Sequence, residues 1–263
     1  MRIRPKKSLG QNFLIDKNVV GKILDALELK PNETLLEIGS GKGDITSLIA
    51  PCVKKLYAVE IDRRIFSELS LKAKEYPNLE SINSDILKCN IAELPLDKGA
   101  KLKVFGNIPY YISTPIINRL ISFRDFIERV YITVQAEFAE RLTALPGNKD
   151  YGSLTCYVQY YAFVRRIFTI KKNSFYPVPK VDSCLLGLEF RKKPLVFVTD
   201  EKKFFSIIRA AFGQRRKKLS NNLKGHLNED ILKVFFAESN ISPNARAEEL
   251  SLQDFAYLAN LAV

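Results

Sequence analysis

Histidine and cysteine are scarce in this chain of 263 residues, and their scarcity limits the chemistry that it can perform. The only histidine is His226, so a catalytic Ser–His or Cys–His pair has a single imidazole to draw on. The four cysteines are far apart and include no CxxC pair. We therefore expect no metal site, no disulfide framework and a reducing compartment.

Long apolar segments are also missing. No run approaches the ~18 apolar residues of a membrane span. The beginning of the chain, MRIRPKKSLGQNF, lacks the apolar core of a signal peptide. We therefore expect a cytoplasmic protein with no membrane partner. Coiled-coil heptads are not found either, so a monomer is expected.

Acidic residues are outnumbered, because 41 lysines and arginines face 29 aspartates and glutamates and leave a net charge of +12. Such an excess favours a polyanionic partner, first of all nucleic acid. The densest basic cluster contains no acidic residue and predicts contacts to RNA phosphates, although a solvated helix face is the alternative. Its members are Arg209, Arg215, Arg216, Lys217, Lys218 and Lys224. A weaker cluster comprises Arg2, Arg4, Lys6 and Lys7.

The hydrophobic pattern predicts two domains. From residue 34 to about residue 190, apolar strand-like runs alternate with amphipathic helical stretches, which is typical of βαβ units around a mostly parallel sheet. Beyond Asp200 only helical spacing remains. We predict a Rossmann-like α/β domain over residues 1–192, with a basic arm at 1–16. A small all-helical, RNA-binding domain follows at 193–263.

Individual elements follow from the same pattern. Asp16 can cap a helix that runs to about Leu29. The proline-containing segment 173–180 is expected to be a stiff loop between two extended runs, and segment 191–199 is expected to be a linker. Strands are predicted at 34–38, 56–61, 79–83, 102–105 and 130–135, followed by the extended runs 165–170 and 183–190.

A glycine motif marks the first candidate site. The sequence LLEIGSGKG at 35–43 ends a predicted strand with alternate glycines, where Gly39 and Gly41 permit a tight turn and close approach of a ligand. Glu60 ends the next strand, where its carboxylate can accept both hydroxyls of a ribose. GxGxG is neither the GxGxxG of dinucleotide sites nor a GK[ST] loop, so NAD and ATP are disfavoured. A tight structural turn is the alternative.

Further residues complete this nucleoside site. Glu37 can receive the amino group of the cofactor, and Asp85, after the third strand, can bind the adenine amino group. A solvated loop aspartate is the alternative for Asp85. Ile61 and Ile86, which follow Glu60 and Asp85, are included in the predicted cofactor site.

The motif FGNIPYY at 105–111 predicts the reaction. An exocyclic base nitrogen is a poor nucleophile, because its lone pair is delocalised into the ring. The side-chain oxygen of Asn107 and the carbonyl of Ile108 can accept its two hydrogens and favour a tetrahedral nitrogen, while Pro109 stiffens the turn. Tyr110 can stack on an extruded base. With the glycine motif, this predicts an S-adenosylmethionine-dependent methyltransferase that modifies an amino nitrogen, for which no strong general base is needed.

Over essentially its whole length, the sequence resembles the rRNA adenine N6-dimethyltransferases of the KsgA family. The resemblance rests on seven motifs: KSLGQNFL at 7–14, EIGSGKG at 37–43, VEID at 59–62, SDIL at 84–87, GNIPYYIS at 106–113, FYPVPKVDS at 175–183 and IRAAFGQRRKKLSNNL at 208–223.

This resemblance implies that the α/β domain is a class I methyltransferase sheet, and it implies roles for further residues. It adds Asn12 and Leu14 to a cofactor site that also holds Gly39, Glu60, Asp85 and Asn107, and it implies that Tyr110 and Phe175 flank the flipped adenine. The family transfers two methyl groups to each of two adjacent adenines in the 3′-terminal loop of small-subunit rRNA. The partner implied is therefore that rRNA within an immature small subunit, and a role in small-subunit biogenesis follows.

Three alternatives stay open. The first is the related family that dimethylates a large-subunit rRNA adenine and confers macrolide resistance, against which the motif FGQRRKKLSNNL at 212–223 argues. The second is a non-catalytic ribosome assembly factor, against which intact Glu60, Asp85, Asn107 and Tyr110 argue. The third is DNA N6-adenine methylation, because the chemistry of NIPY does not distinguish the two sugars.

Overall fold

The computed structural model describes residues 5–6 and 9–263, so the predicted basic residues Arg2, Arg4 and Lys7 lie outside the described residues. The strands are β1 Phe13–Leu14, β2 Thr34–Ile38, β3 Lys55–Glu60, β4 Leu79–Asn83, β5 Leu102–Asn107, β6 Ile127–Gln135, β7 Ala162–Ile170, β8 Phe175–Tyr176 and β9 Ser183–Phe190. The helices are α1 Lys17–Leu27, α2 Thr46–Ile49, α3 Arg63–Ala73, α4 Ser113–Ser122, α5 Ala136–Thr143, α6 Ser153–Tyr161, α7 Glu201–Ala211, α8 Leu219–Leu223, α9 Glu229–Glu238 and α10 Leu252–Leu261.

The main sheet has seven strands in the order β4-β3-β2-β5-β6-β9-β7. Strands β4, β3, β2, β5 and β6 pair in parallel, and β9 pairs antiparallel with β6. All five residues of β2 are buried, as expected for the centre of a parallel sheet that is covered on both faces. The carboxyl ends of β2, β3, β4 and β5 therefore meet at one edge, where ligands bind in open α/β sheets.

The predicted strands are confirmed, with bounds that differ by up to three residues. Strand β6 begins at Ile127 rather than at residue 130, because Ile127 pairs with Leu102 of β5 and Arg129 pairs with both β5 and β9. The predicted loop 173–180 contains the short strand β8, which pairs antiparallel with β1 through Leu14 and Phe175. That pairing is a tertiary event, so local propensity gives no sign of it.

The first long helix follows its predicted capping. The Asp16 carboxylate accepts hydrogen bonds from the backbone N–H groups of Asn18 and Val19, at 3.0 and 3.3 Å. Helix α1 ends at Leu27, and Glu28 then adopts a left-handed conformation. The buried ammonium group of Lys103 on β5 donates to the Leu27 carbonyl at 2.8 Å. A charged side chain is thus accommodated inside a central strand because it satisfies a helix end.

The chain divides into two compact units. The first unit comprises the residues up to Ala139 together with Arg165–Phe190, and the second comprises Glu140–Val164 and Arg191–Val263. The predicted division at 192–193 lies close to the last of these boundaries. It assigned segment 140–164 to the first domain, however, whereas this segment clusters with the C-terminal helices. The reason is that α6 packs its apolar side chains on α7, a contact that no local pattern reveals.

The second unit has its own apolar core. Tyr160 and Tyr161 of α6 lie against Phe204 and Phe205 of α7, with ring centroids as close as 5.1 Å between Tyr160 and Phe205. Phe204, Phe205 and Ile208 are all buried. The aromatic residues of α7 therefore stabilise the unit and are not available for stacking on bases.

Candidate active site

A cavity of about 100 Å³, partly open to solvent, lies in the first unit at the carboxyl ends of β2, β3, β4 and β5. The structure brings together eleven of the predicted site residues in its lining: Asn12, Gly39, Gly41, Glu60, Ile61, Asp85, Ile86, Asn107, Ile108, Pro109 and Tyr110.

The glycine motif forms the turn between β2 and α2. Gly39 and Gly41 have φ angles of 71° and 57°, a left-handed conformation that favours glycine. The N–H of Gly39 donates to the carbonyl of Val59 at 2.9 Å, which ties the turn to β3. A β-carbon at Gly41 would lie 3.4 Å from the ring of Phe13. Glycine therefore keeps this wall of the cavity open for a ligand.

Both carboxylate oxygens of Glu60 accept hydrogen bonds from the backbone. One oxygen, Oε2, accepts the N–H of Gly41 at 2.9 Å, and the other, Oε1, accepts the N–H of Asp62 at 2.8 Å. Burial raises the pKa of this carboxyl group, and the N–H groups of Asp62 and Gly41 oppose the rise. Each oxygen keeps a second lone pair, so two neighbouring hydroxyl groups of a ligand can donate to the same carboxylate.

An apolar slot with a polar end adjoins Glu60. Ile61 is 49% exposed although it is large and apolar, and it lines the cavity together with the buried Ile86. The Asp85 carboxylate accepts the N–H of Leu87 at 2.9 Å, which fixes its orientation. Two apolar side chains beside a carboxylate suit a planar aromatic ring that carries an amino group.

Asn107 ends β5 and is oriented by the segment before α1. Its Nδ2 donates to the backbone carbonyl of Asn12 at 3.0 Å. Because the amide nitrogen is used in this way, Oδ1 is the atom left to accept a hydrogen bond from a ligand. Ile108 and Pro109 follow in an extended turn at the cavity wall.

Tyr110 begins a short 3₁₀ turn, Tyr110–Ile112, and is half-buried. Its hydroxyl lies 2.6 Å from the hydroxyl of Ser183 at the start of β9. Burial raises the pKa of the phenol, and the hydrogen bond with Ser183 opposes the rise. The neighbouring Tyr111 is 62% exposed, so the two adjacent rings have different surroundings.

Three predicted site residues do not line the cavity. The buried Glu37 carboxylate accepts a hydrogen bond from the Thr46 hydroxyl at 2.6 Å, and burial raises its pKa to about 7. Leu14 packs on the apolar core, and Phe175, paired with it, is 1% exposed. In this structure Glu37 is bonded to Thr46 of α2, and the ring of Phe175 is buried in the core. The cofactor role of Glu37 and the base-stacking role of Phe175 stay predictions.

Sequence reasoning had taken only Asn12 and Leu14 from the segment that precedes α1. In the structure Leu9, Gly10, Gln11 and Phe13 also line the cavity. Gln11 donates through Nε2 to the buried carboxylate of Asp62 at 3.2 Å. Hydrogen bonding from Arg64 lowers the pKa of Asp62 to about 2, so this anchor is charged at neutral pH. The motif KSLGQNFL contained the whole segment, but its spacing gave no role to single residues.

The predicted RNA-binding residues all lie in the second unit and are exposed. Arg215 donates to the carbonyl of Lys149, and Lys218 donates to Asn244 at 2.6 Å. Lys217 and Lys224 line a shallow recess with three side-chain amides and the only histidine. The amide side chains belong to Gln214, Asn221 and Asn222. The recess is therefore lined by positive and amide side chains and by no carboxylate.

Among the described residues, 5–6 and 9–263, no helix is both long and apolar enough to cross a membrane. In the same part of the chain, no three or more histidine, cysteine, aspartate or glutamate side chains are grouped so that they could hold a metal ion.

Comparison with known proteins identifies close relatives. The family model described as ribosomal RNA adenine dimethylase matches residues 2–263. The ribosomal RNA small subunit methyltransferase A of Bacillus cytotoxicus is 42% identical over 98% of this chain and 91% of its own length. The protein of the same name from Bacillus mycoides is 41% identical over the same shares.

Solved structures show the same architecture. A dimethyladenosine transferase from Plasmodium falciparum is 29% identical, with a TM-score of 0.77 over 94% of this chain and 95% of that one. The 23S rRNA methyltransferase ErmE is 24% identical, with a TM-score of 0.74 over 95% and 99% of the two chains. The predicted fold, a class I methyltransferase sheet followed by helices, is thereby confirmed.

Proposed function

Because the chain belongs to the ribosomal RNA adenine dimethylase family, we propose that it dimethylates the N6 amino groups of two adjacent adenines in the 3′-terminal loop of small-subunit rRNA. S-adenosylmethionine is the proposed methyl donor. The observation that carries the proposal is the position of Asn107, Ile108, Pro109 and Tyr110 on the wall of the same cavity as the glycine turn and Glu60. A nucleoside cofactor and an amino group can thus meet in one place.

The cavity residues fit the donor. The two oxygens of Glu60 would accept the ribose hydroxyls, Ile61 and Ile86 would enclose the adenine ring, and Asp85 would accept its amino group. Gly39 and Gly41, which line the cavity without side chains, would lie against the part of the cofactor that carries the methyl group. When bound, the cofactor supplies an electrophilic methyl group on a positively charged sulfur. No residue of this set requires a metal ion.

The protein contributes orientation and hydrogen-bond acceptors. Oδ1 of Asn107 and the carbonyl of Ile108 accept the two hydrogens of the target amino group, which keeps the nitrogen lone pair available. The ring of Tyr110 stacks on the extruded base. The proton leaves the nitrogen after methylation has made it acidic, so the absence of a histidine from the cavity lining is no obstacle.

The substrate assignment rests on the relatives and on charge. The two curated relatives carry the name of a small-subunit enzyme at 41–42% identity, whereas ErmE, a large-subunit enzyme, shares the fold at 24%. The exposed cluster that contains Arg209, Arg215 and Lys217 supplies salt-dependent affinity for RNA phosphates. We further propose that a monomer acts in the cytoplasm on immature small subunits.

The test is transfer of labelled methyl groups from S-adenosylmethionine to unmethylated small subunits, large-subunit RNA and duplex DNA, followed by mapping of the modified base. We expect dimethyladenine at two adjacent positions of the small-subunit 3′ loop and nowhere else. Label confined to large-subunit RNA would favour the resistance-type activity. Binding of the small subunit without any label would favour a non-catalytic assembly factor, and label only in DNA would exclude the rRNA assignment.

A further inference from the structure

The hydrogen bond between Tyr110 and Ser183 joins two motifs that sequence analysis treated separately. Ser183 is the last residue of FYPVPKVDS, a motif to which the proposed chemistry gives no hydroxyl function. Its side chain is fully buried, and its Oγ lies 2.6 Å from the Tyr110 hydroxyl. Either hydroxyl group can donate to the other, so each has a hydrogen-bond partner inside the protein.

The sheet fixes the position of Ser183. Strand β9 pairs Ser183 with Gln135 and Leu185 with Thr133, while β5 and β6 pair Asn107 with Thr133. Because paired residues, and residues two apart on one strand, lie on the same face, the side chains of Asn107, Thr133 and Ser183 share one face of the sheet. Ser183 therefore belongs to the side of the sheet on which Asn107 meets the cavity.

The residue before Ser183 is also held. The carbonyl of Asp182 accepts the N–H of Ala136 at 3.1 Å, and its carboxylate accepts the N–H of Lys172 and the ammonium group of Lys171, each at 2.9 Å. These contacts come from two different chain segments, one at Ala136 and one at Lys171 and Lys172. The hydroxyl of Ser183 is consequently presented from a rigid position rather than from a mobile loop.

The contact lies at the far end of the Tyr110 ring. A tyrosine held only at its α-carbon can swing about its Cα–Cβ bond, whereas a hydrogen bond at the hydroxyl fixes the far end of the ring and restricts that swing. Stacking on a base depends on where the ring lies, so fixing the ring before the base arrives removes an ordering cost.

We propose that Ser183 is a positioning residue, which holds the ring of Tyr110 at the place required for stacking on the target base. The inference rests on the proposed function, because it concerns the same cavity. Ser183 itself touches neither cofactor nor base. Its effect should therefore fall on the methyl-transfer step and leave the affinity for the cofactor unchanged.

The test is a double-mutant cycle with Ser183→Ala, Tyr110→Phe and the variant that carries both changes. Single-turnover transfer of labelled methyl groups is measured at saturating cofactor, on whichever RNA the wild type modifies. We expect each single change to lower the rate about tenfold, and the double change to lower it about tenfold rather than a hundredfold, because both changes remove the same hydrogen bond. The Kd for S-adenosylmethionine should stay within about twofold of wild type.

Two control variants separate positioning from stability. Ser174→Ala removes a buried hydroxyl that is bonded to Asp16 at 3.1 Å, and Tyr57→Phe removes a buried phenol hydroxyl that donates to the carbonyl of Pro95 at 2.8 Å. Both should lower the melting temperature and leave the transfer rate of the folded protein unchanged.

The outcomes are separable. Transfer by the wild type to large-subunit RNA alone would overturn the proposed substrate and leave the cycle interpretable. A wild-type rate in Ser183→Ala, or a double variant in which the two losses multiply, would overturn the positioning role while the proposed function stands. A wild type that methylates no RNA would overturn both.

Discussion

The cavity and the basic cluster differ in how their polar groups are held. In the cavity, both oxygens of Glu60, the amide nitrogen of Asn107 and the hydroxyl of Tyr110 each have a partner inside the protein. In the cluster, every predicted RNA-binding side chain is exposed. Fixed and desolvated groups discriminate between ligands, whereas exposed cations attract any polyanion and lose strength with salt. The first region should therefore decide the chemistry, and the second the affinity.

The largest effect is expected at Asn107. Asn107→Ala removes the acceptor of the target amino group, and we expect methyl transfer to fall by about a thousandfold or more. Cofactor binding should weaken only slightly. Rates and the cofactor Kd are measured beside Asn118→Ala, a change at an exposed position of α4. Normal turnover in Asn107→Ala would contradict the role assigned to this residue.

A charge reversal in the basic cluster tests whether that cluster determines the affinity for RNA. Arg215→Glu with Arg216→Glu should weaken RNA binding about a hundredfold at low salt and make the dependence of log K on log salt less steep by about 2, because two contacts to phosphates are lost. Lys192→Glu with Lys193→Glu is the matched control, a consecutive exposed pair outside the cluster. Equal losses in both variants would mean that net charge matters and the cluster does not.

A smaller effect is expected on cofactor affinity at Glu60. Glu60→Gln places an amide N–H₂ against the N–H of Gly41 or of Asp62, both of which need an acceptor. We expect the Kd for S-adenosylmethionine to rise about tenfold, with an unchanged salt dependence of RNA binding. Glu80→Gln, at an exposed position on β4, provides the control in the same titration. Unchanged affinity in Glu60→Gln would exclude a ribose contact.

The smallest effect on methyl transfer is expected for Glu37→Gln, because this substitution alters the stability of the protein instead. The pKa of Glu37 in the folded protein, about 7, lies above the ordinary value of 4.5. The contribution of this group to the free energy of unfolding is therefore fully present below pH 4.5 and is lost as pH rises towards 7. At most, this loss amounts to about 3 kcal/mol. Glu37→Gln should remove this fall in the free energy of unfolding, which is measured by urea unfolding at pH values from 4.5 to 8. An identical pH dependence in both proteins would show that burial of this carboxyl does not govern stability.

The sequence predicted much of the site because its chemistry is concentrated in short motifs at strand ends. Alternate glycines, an acidic residue at the end of the next strand and NIPY each require a particular local geometry, so residue type and spacing were sufficient to identify them. The resemblance to a known family added Asn12, which the cavity also contains. Periodicity located the strands within three residues, since apolar alternation and length depend on local chain geometry.

Four features were decided only by tertiary structure. The pairing of β1 with β8 buries Phe175, the packing of α6 on α7 assigns segment 140–164 to the second unit, and the Thr46 contact turns Glu37 away from the cavity. The fourth is the meeting of Ser183 with Tyr110 across 73 positions of sequence. By itself, the sequence determined which residues are predicted to carry the chemistry, because a motif encodes its own turn. Which of them line the cavity was decided by contacts between distant segments, whose free energy arises only when the whole sheet is assembled.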